Sequence, residues 1–145
     1  MKPRYQRIAY NGVYRSRFEL NIAADLQSRG VRFDYESVTY PLVVEASAGH
    51  RCKVDADHDI VRLTRYTPDF QIEGGVLIVE AKGRFTGKDR KIALAFMRQY
   101  GKNYRMLFMR NNPLSKGSKT TYGEWCDKHG IPWAVGTSVP TEWLA

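Results

Sequence analysis

The segment Tyr66-Thr67-Pro68-Asp69-Phe70-Gln71-Ile72-Glu73-Gly74-Gly75-Val76-Leu77-Ile78-Val79-Glu80-Ala81-Lys82 decides the fold class. Two β-prone runs, 69–72 and 76–82, flank Gly74-Gly75, a dipeptide that accepts the positive φ of a two-residue hairpin turn. With those glycines as the loop, Glu73 pairs with Val76, Ile72 with Leu77, Gln71 with Ile78 and Phe70 with Val79. Asp69 then lies opposite Glu80, with Cβ atoms about 4.5–5.5 Å apart. Side chains alternate along a strand, so Lys82 shares the face of Glu80, while Leu77, Val79 and Ala81 offer the other face to a core. Two carboxylates opposed at this distance repel, and a sheet gains no stability from them. The pattern therefore points to chemistry.

Before the hairpin, residues 14–29 carry Phe18, Ile22, Ala23 and Leu26 on one helical arc, and Gly30 closes the helix. Glu19 falls inside that apolar arc. A buried carboxylate needs a partner, ordinarily an arginine, because burying it alone costs several kcal/mol (on the order of 3–5). Val31–Tyr35 alternates like a strand, and Tyr40-Pro41-Leu42-Val43-Val44 continues as extended chain. Residues 46–66 are polar and poorly patterned, with Ile60–Leu63 a candidate short strand. After the hairpin come a helix over 88–100 with Ile92, Ala95, Phe96 and Tyr100 on one face, a strand over 104–109 and a basic loop over 110–119. Thr121-Tyr122-Gly123-Glu124 has capping-box spacing and opens a short helix, followed by a strand near Val135 and a helical turn at 140–143. The order describes a mixed α/β domain without internal repeats.

The 145 residues fit one domain, 1–145, and 43% hydrophobic content is that of a globular chain. The net charge of +8 is unevenly spread. Residues 1–17 form a basic arm with five cations and no acid, 18–80 are net −5, 81–119 are net +10, and the remainder is −2. Eleven cations against Asp89 alone, spread over a loop, a helix, a strand and another loop, suit a phosphate backbone better than a membrane surface. Candidate DNA contacts are Arg15 and Arg17 of the arm, then Arg84, Lys88, Arg90, Lys91, Arg110, Lys116 and Lys119. No apolar run is long enough to span a membrane, and Met1–Arg7 lacks the apolar stretch of a secretion signal. Cys52 and Cys126 are too few for a disulfide framework, and no glycine-rich phosphate loop implies a nucleotide cofactor.

Asp69, Glu80 and Lys82 on one hairpin face, within a basic chain, match metal-assisted phosphodiester hydrolysis. Carboxylate oxygens suit Mg²⁺ or Mn²⁺, which would relieve the repulsion and activate a water. A nearby lysine orients or deprotonates that water and counters phosphate charge. Other groupings fall short. Asp55, Asp57 and Asp59 have the odd spacing of a calcium loop, but Ile60 and Tyr66 stand where it needs Gly and Glu. His50, His58 and His129 lack ligand spacing, and Trp125, Trp133 and Trp143 read as core and tail anchors.

Pro68-Asp69 followed by Glu80-Ala81-Lys82 is the pattern of restriction-endonuclease-like nucleases. The stretches Tyr14–Glu19, Tyr66–Phe70, Val79–Gly83, Thr121–Ile131 and Pro140–Trp143 resemble, in collinear order, the endonuclease I family of short-tailed bacteriophages. That resemblance implies a restriction-endonuclease-like sheet flanked by helices and a Holliday-junction resolvase cutting branched DNA with Mg²⁺ (or Mn²⁺), leaving 5′-phosphates. It makes Glu19, Asp69, Glu80 and Lys82 catalytic positions, with Asp69 and Glu80 as metal ligands, Glu19 as ligand to a second metal in the same site, and Lys82 handling the attacking water. It also implies an intertwined, segment-swapped homodimer in which Glu19 joins carboxylates from the partner chain, with 40–46 as the inter-subunit bridge and 47–65 as an atypical insertion. The expected location is the cytoplasm of the infected host cell. A sequence-specific or transposase-type nuclease of the same superfamily, and a non-catalytic branched-DNA-binding protein, are the alternatives.

Overall fold

In the computed structural model, which describes residues 13–45, 61–101 and 103–144, the hairpin has the register the glycine turn requires. Strand β4 (Phe70–Ile72) runs antiparallel to β5 (Leu77–Lys82), pairing Phe70 with Val79, Gln71 with Ile78 and Ile72 with Leu77. The connection is longer than the expected two residues. Glu73–Gly75 form a 3₁₀ turn and Val76 leads into β5, so one residue is added on each side and strand parity survives. Gly74 and Gly75 take φ of 69° and 97°, which glycine adopts without strain, and Glu73, just before them, has φ 49°.

A five-stranded sheet is built on this hairpin, in the order β1-β4-β5-β6-β7. Strand β1 (Phe33–Tyr35) lies antiparallel on β4, with Tyr35 opposite Phe70. Helix α2 (Gly87–Tyr100) carries the chain from β5 to the parallel β6 (Tyr104–Phe108), and α3 (Tyr122–Lys128) carries it on to the parallel β7 (Trp133–Val135). The C-terminal ends of β5, β6 and β7 therefore share one edge of the sheet. The segment Tyr40–Glu45 (β2), expected as a bridge between subunits, pairs antiparallel with Val61–Tyr66 (β3) of the same chain in a separate ribbon. Part of the expected 47–65 insertion is thus a paired strand. The remainder of that insertion lies outside the described residues, as do Asp55, Asp57, Asp59, His50, His58, Cys52 and the first twelve residues of the basic arm.

The two sheet faces follow strand parity. Helix α1 (Arg17–Ser28) covers one face, where Phe18, Ile22, Ala23 and Leu26 pack with Phe70, Ile72, Leu77, Val79 and Leu107. The closing turn α4 (Thr141–Leu144) adds Trp143 and Leu144 to the same cluster. On the other face α2, α3 and the ribbon enclose Ile78, Tyr104, Met106 and Phe108. Ile92 and Tyr100 are only partly buried, because the face of α2 turned inward is centred on Ala93, Ala95 and Phe96. Asp69, Gln71, Glu80 and Lys82 share the parity of Ile78 and project on the ribbon side. Among the described residues no helix is long and apolar enough to cross a membrane.

Helix α3 docks through a glycine. A Cβ at Gly123 would stand 2.2 Å from the Trp133 ring, which is fixed by its indole N–H donating to Asp127 at 2.9 Å. Gly123→Ala is expected to destabilise the chain by about 1–3 kcal/mol, since the ring cannot withdraw without losing that bond. Urea unfolding measures it, and an unchanged midpoint would show that the α3–β7 contact is looser than described.

Candidate active site

The opposed carboxylates are locked by reciprocal backbone bonds. The Asp69 backbone N–H donates to Glu80 Oε1 at 3.0 Å, and the Ala81 N–H donates to Asp69 Oδ2 at 2.9 Å. Each strand thus uses its carboxylate to receive the other's amide just beyond the last ladder pair. Asp69 and Glu80 are 8% and 3% exposed, so both charges have left water.

Glu19 arrives from the first turn of α1, where the helix dipole favours an anion. Among the described residues its side-chain hydrogen bonds come from neutral groups rather than from the expected arginine. Oε1 accepts from Ser16 Oγ at 2.8 Å and Oε2 from the Tyr35 hydroxyl at 2.5 Å, while Ser16 Oγ caps α1 by accepting the Glu19 N–H. These neutral donors place Glu19 beside Asp69 within one chain. Glu36 completes the group: one carboxylate oxygen each from Glu19, Glu36 and Asp69 lie within 4.8 Å of one another. Glu36 follows β1 at φ 49°, its N–H donates to the Asp69 carbonyl at 2.8 Å, and its carboxylate takes Arg15 Nε at 2.5 Å.

Lys82 stands on the other side of Glu80. Its Nζ lies 3.1 Å from Glu80 Oε2 and 3.3 Å from Asp89 Oδ1. Asp89 is also the third residue of α2, where Oδ2 accepts from the Thr86 N–H and Oγ at 2.9 Å in a capping box. Arg15, Glu36, Asp69, Glu80, Lys82 and Asp89 line one cleft of about 290 Å³, walled by Tyr66 and Tyr104, whose hydroxyls share a 2.6 Å bond.

Burial, then the neighbouring Glu80 and Glu19 charges, push the Asp69 carboxyl well above its ordinary range. Burial likewise raises Glu19, against the pull of Tyr35 and Ser16. For Lys82, burial works against the ammonium, but Glu80, Asp89 and Asp69 outweigh it and hold the side chain charged. Asp89 is lowered: burial opposes ionisation, and Lys82 with the Thr86 donors overcomes it. An all-oxygen set of crowded, buried carboxylates fits a hard divalent cation. Glu19, Glu36 and Asp69 are the residues grouped to hold one, whereas Glu80 is engaged by the Asp69 amide and Lys82.

The sequence places Asp69, Glu80 and Lys82 together, and the resemblance brings Glu19 to the carboxylates of a partner chain, whereas here it stands beside Asp69 of its own chain; Glu36 and Asp89 are missed. Glu36 becomes visible only once β1 is paired with β4, which sets it next to Asp69. Asp89 had a legible signal, since Thr86-Gly87-Lys88-Asp89 has the same cap spacing as Thr121–Glu124. Of the expected phosphate contacts, Arg84, Lys88, Lys91, Arg110, Lys116 and Lys119 are exposed. Arg90 instead donates to the Phe85 carbonyl at 2.7 Å and lies over the Phe85 ring, and Arg15 is held by Glu36. Arg84 and the start of α2 directly follow β5, and the 110–119 loop follows β6 at the same sheet edge, where the Met109 N–H meets the Lys82 carbonyl at 3.0 Å.

A family model described as Phage endonuclease I matches residues 2–145. Endonuclease I of Escherichia phage T7 is 36% identical over 135 residues, 92% of this chain and 79% of that protein. Endodeoxyribonuclease 1 of Enterobacteria phage T3 is 38% identical over 123 residues, 83% of this chain and 70% of that protein.

The raised carboxyls have a consequence for stability. A folded-state pKa above the unfolded one means the folded chain binds more protons in between, so stability is fully present below about pH 4 and falls as pH rises through the folded value. Asp69→Asn removes that charge and keeps an acceptor for the Ala81 N–H. In EDTA at pH 8 the variant is expected to be more stable than wild type by about 0.5–2 kcal/mol, with the gap closing toward pH 4. Urea titrations at the two pH values test this, and a gap independent of pH would contradict the buried, crowded state assigned to Asp69.

Proposed function

The chain belongs to the phage endonuclease I family, and we propose that it is a structure-selective, metal-dependent endodeoxyribonuclease. It is a nuclease by that membership. The finer reading is that it resolves four-way junctions and other branched DNA, leaving 5′-phosphates, in the cytoplasm of the infected cell. The observation that carries the reading is the juxtaposition of Asp69, Glu80 and Lys82 in one cleft, with Glu19 grouped beside Asp69 and exposed cations near by. A pure DNA-binding protein gains nothing from buried acids that repel its ligand.

Mg²⁺ or Mn²⁺, held by Asp69 with Glu19, Glu36 and Glu80, would supply an activated water and a counter-charge for the leaving oxygen. The chain's own residues do the rest. Lys82, kept as an ammonium by Glu80 and Asp89, donates to the scissile phosphate or the incoming water and offsets phosphate charge. In this state its part is orientation and charge, because a lysine held protonated has no lone pair to take a proton. Exposed Arg84, Lys88, Lys91, Arg110, Lys116 and Lys119 hold backbone phosphates on the same edge, which selects by shape and binds with steep salt dependence.

The homodimer with exchanged segments is part of this proposal. Its support is the ribbon, where Val43 and Leu63 are paired, apolar, and 41% and 80% exposed. Exchange through 40–46 would form the same β2–β3 pairs between chains and set two sites in one molecule.

Incubation of a four-way junction with Mg²⁺ or Mn²⁺ is expected to give paired nicks, and Ca²⁺ none. Asp69→Ala and Lys82→Ala should retain junction binding and lose cutting by at least about a hundredfold. Undiminished cutting by Asp69→Ala would sink the site assignment. Equal cutting of linear duplex would favour the sequence-specific alternative.

A further inference from the structure

Glu19, Glu36 and Asp69 meet with one carboxylate oxygen each within 4.8 Å, but their hydrogen-bond partners differ in kind. Glu19 is held by Tyr35 Oη and Ser16 Oγ, and Asp69 by the Ala81 amide, all neutral dipoles. Glu36 is held by a full charge, Arg15 Nε, on a side chain that is 51% exposed.

Both backbones under this ion pair are fixed. The Arg15 N–H donates to Tyr35 Oη at 3.2 Å, the same hydroxyl that donates to Glu19. The Glu36 N–H is bound to the Asp69 carbonyl, and its φ of 49° is a conformation that β-strand neighbours do not share. Only the side-chain contact is left to change. A divalent cation among Glu19, Glu36 and Asp69 would compete with Arg15 for Glu36 and repel the guanidinium as well. Arg15, tethered at the cleft rim, would then face whatever anion enters.

We propose that Glu36 is an exchangeable ligand that holds Arg15 when the cluster lacks a cation and yields it when one binds, so that metal loading frees Arg15 for a DNA phosphate. The inference rests on the nuclease reading and deepens it. Metal and DNA then bind cooperatively through one ion pair, and by linkage each tightens the other by the same factor. Glu36 need not touch the reacting phosphate, and Arg15 does its work only after it has been displaced.

The test uses Ca²⁺ as a non-cutting probe and the full chain. Calorimetry without DNA gives Ca²⁺ affinity, and anisotropy of a labelled four-way junction, with and without Ca²⁺, gives the coupling. Glu36→Gln is expected to weaken Ca²⁺ on the order of tenfold. Arg15→Gln is expected to tighten Ca²⁺ in the absence of DNA, by about fivefold or more, and to reduce the gain in junction affinity that Ca²⁺ brings by a similar factor. In the Glu36→Gln background the Arg15→Gln tightening should vanish, which a through-space charge effect would not do. Additive effects in that double variant, or an unchanged Ca²⁺ affinity in Glu36→Gln, overturn the exchange while leaving the nuclease reading intact. Failure of the wild-type chain to bind Ca²⁺ and Mn²⁺ at all overturns both.

Discussion

Two backbone amides, each given to the carboxylate across the hairpin, are the constraint on which the site depends. Beyond the pair Phe70–Val79 the ladder stops, and the Asp69 and Ala81 amides turn to Glu80 and Asp69 instead. Leaving a buried amide unpaired costs about 1–3 kcal/mol, so these carboxylates stabilise the strand ends that hold them. The same bonds keep two negative charges close together in a nearly dry place. Structure and reactivity are thus supplied by the same atoms, and a substitution at Asp69 alters both.

The sheet's connectivity then brings the opposite charge to this point. Strands β5, β6 and β7 are parallel, so the chain leaves each of them at the edge where Lys82 sits. The segments that follow β5 and β6 carry most of the +10 found between residues 81 and 119. The acidic half of the chain supplies α1, β1 and β4, whose ends bring Glu19, Glu36 and Asp69 together beside Glu80 and Lys82. Charge segregation along the sequence becomes juxtaposition in space, with Glu19, Asp69 and Glu80 buried, Glu36 half-buried and most of the cations exposed.

Much of this was legible because it rests on local rules. Gly74-Gly75 set the hairpin parity, and the parity set Asp69 against Glu80; even a connection two residues longer left the register intact, because one residue was added to each side. The apolar arc of α1 exposed Glu19 as an anomaly before any partner was known. Pairings between segments distant in the chain were not legible. That β1 lies on β4 rather than elsewhere is decided by packing of Phe33, Tyr35 and Phe70, whose rings meet at 5.4–5.7 Å, and this pairing is what brings Glu36 to the site. The ribbon is a similar case: in Val61–Tyr66 the polar Arg62 and Thr64 share the parity of the buried Tyr66 while the apolar Leu63 faces outward, so hydropathy does not mark the inner face.

Asp89 shows how a folding signal and a functional one can coincide in a single side chain. As the third residue of α2 its Oδ2 satisfies the Thr86 amide and hydroxyl, a role that any helix start can use. Its Oδ1 faces Lys82, which reaches it from the end of β5. Because the cap fixes the carboxylate, the lysine is fixed by the point at which α2 begins, and not only by its own strand. The turn between them, Gly83–Thr86, is anchored by the fully buried Phe85, which packs against Phe108, Tyr122 and Trp125. The position of the Lys82 ammonium is therefore set by the aromatic core as well as by its ion pairs. It follows that loosening Phe85 would disturb the site without touching a charged residue.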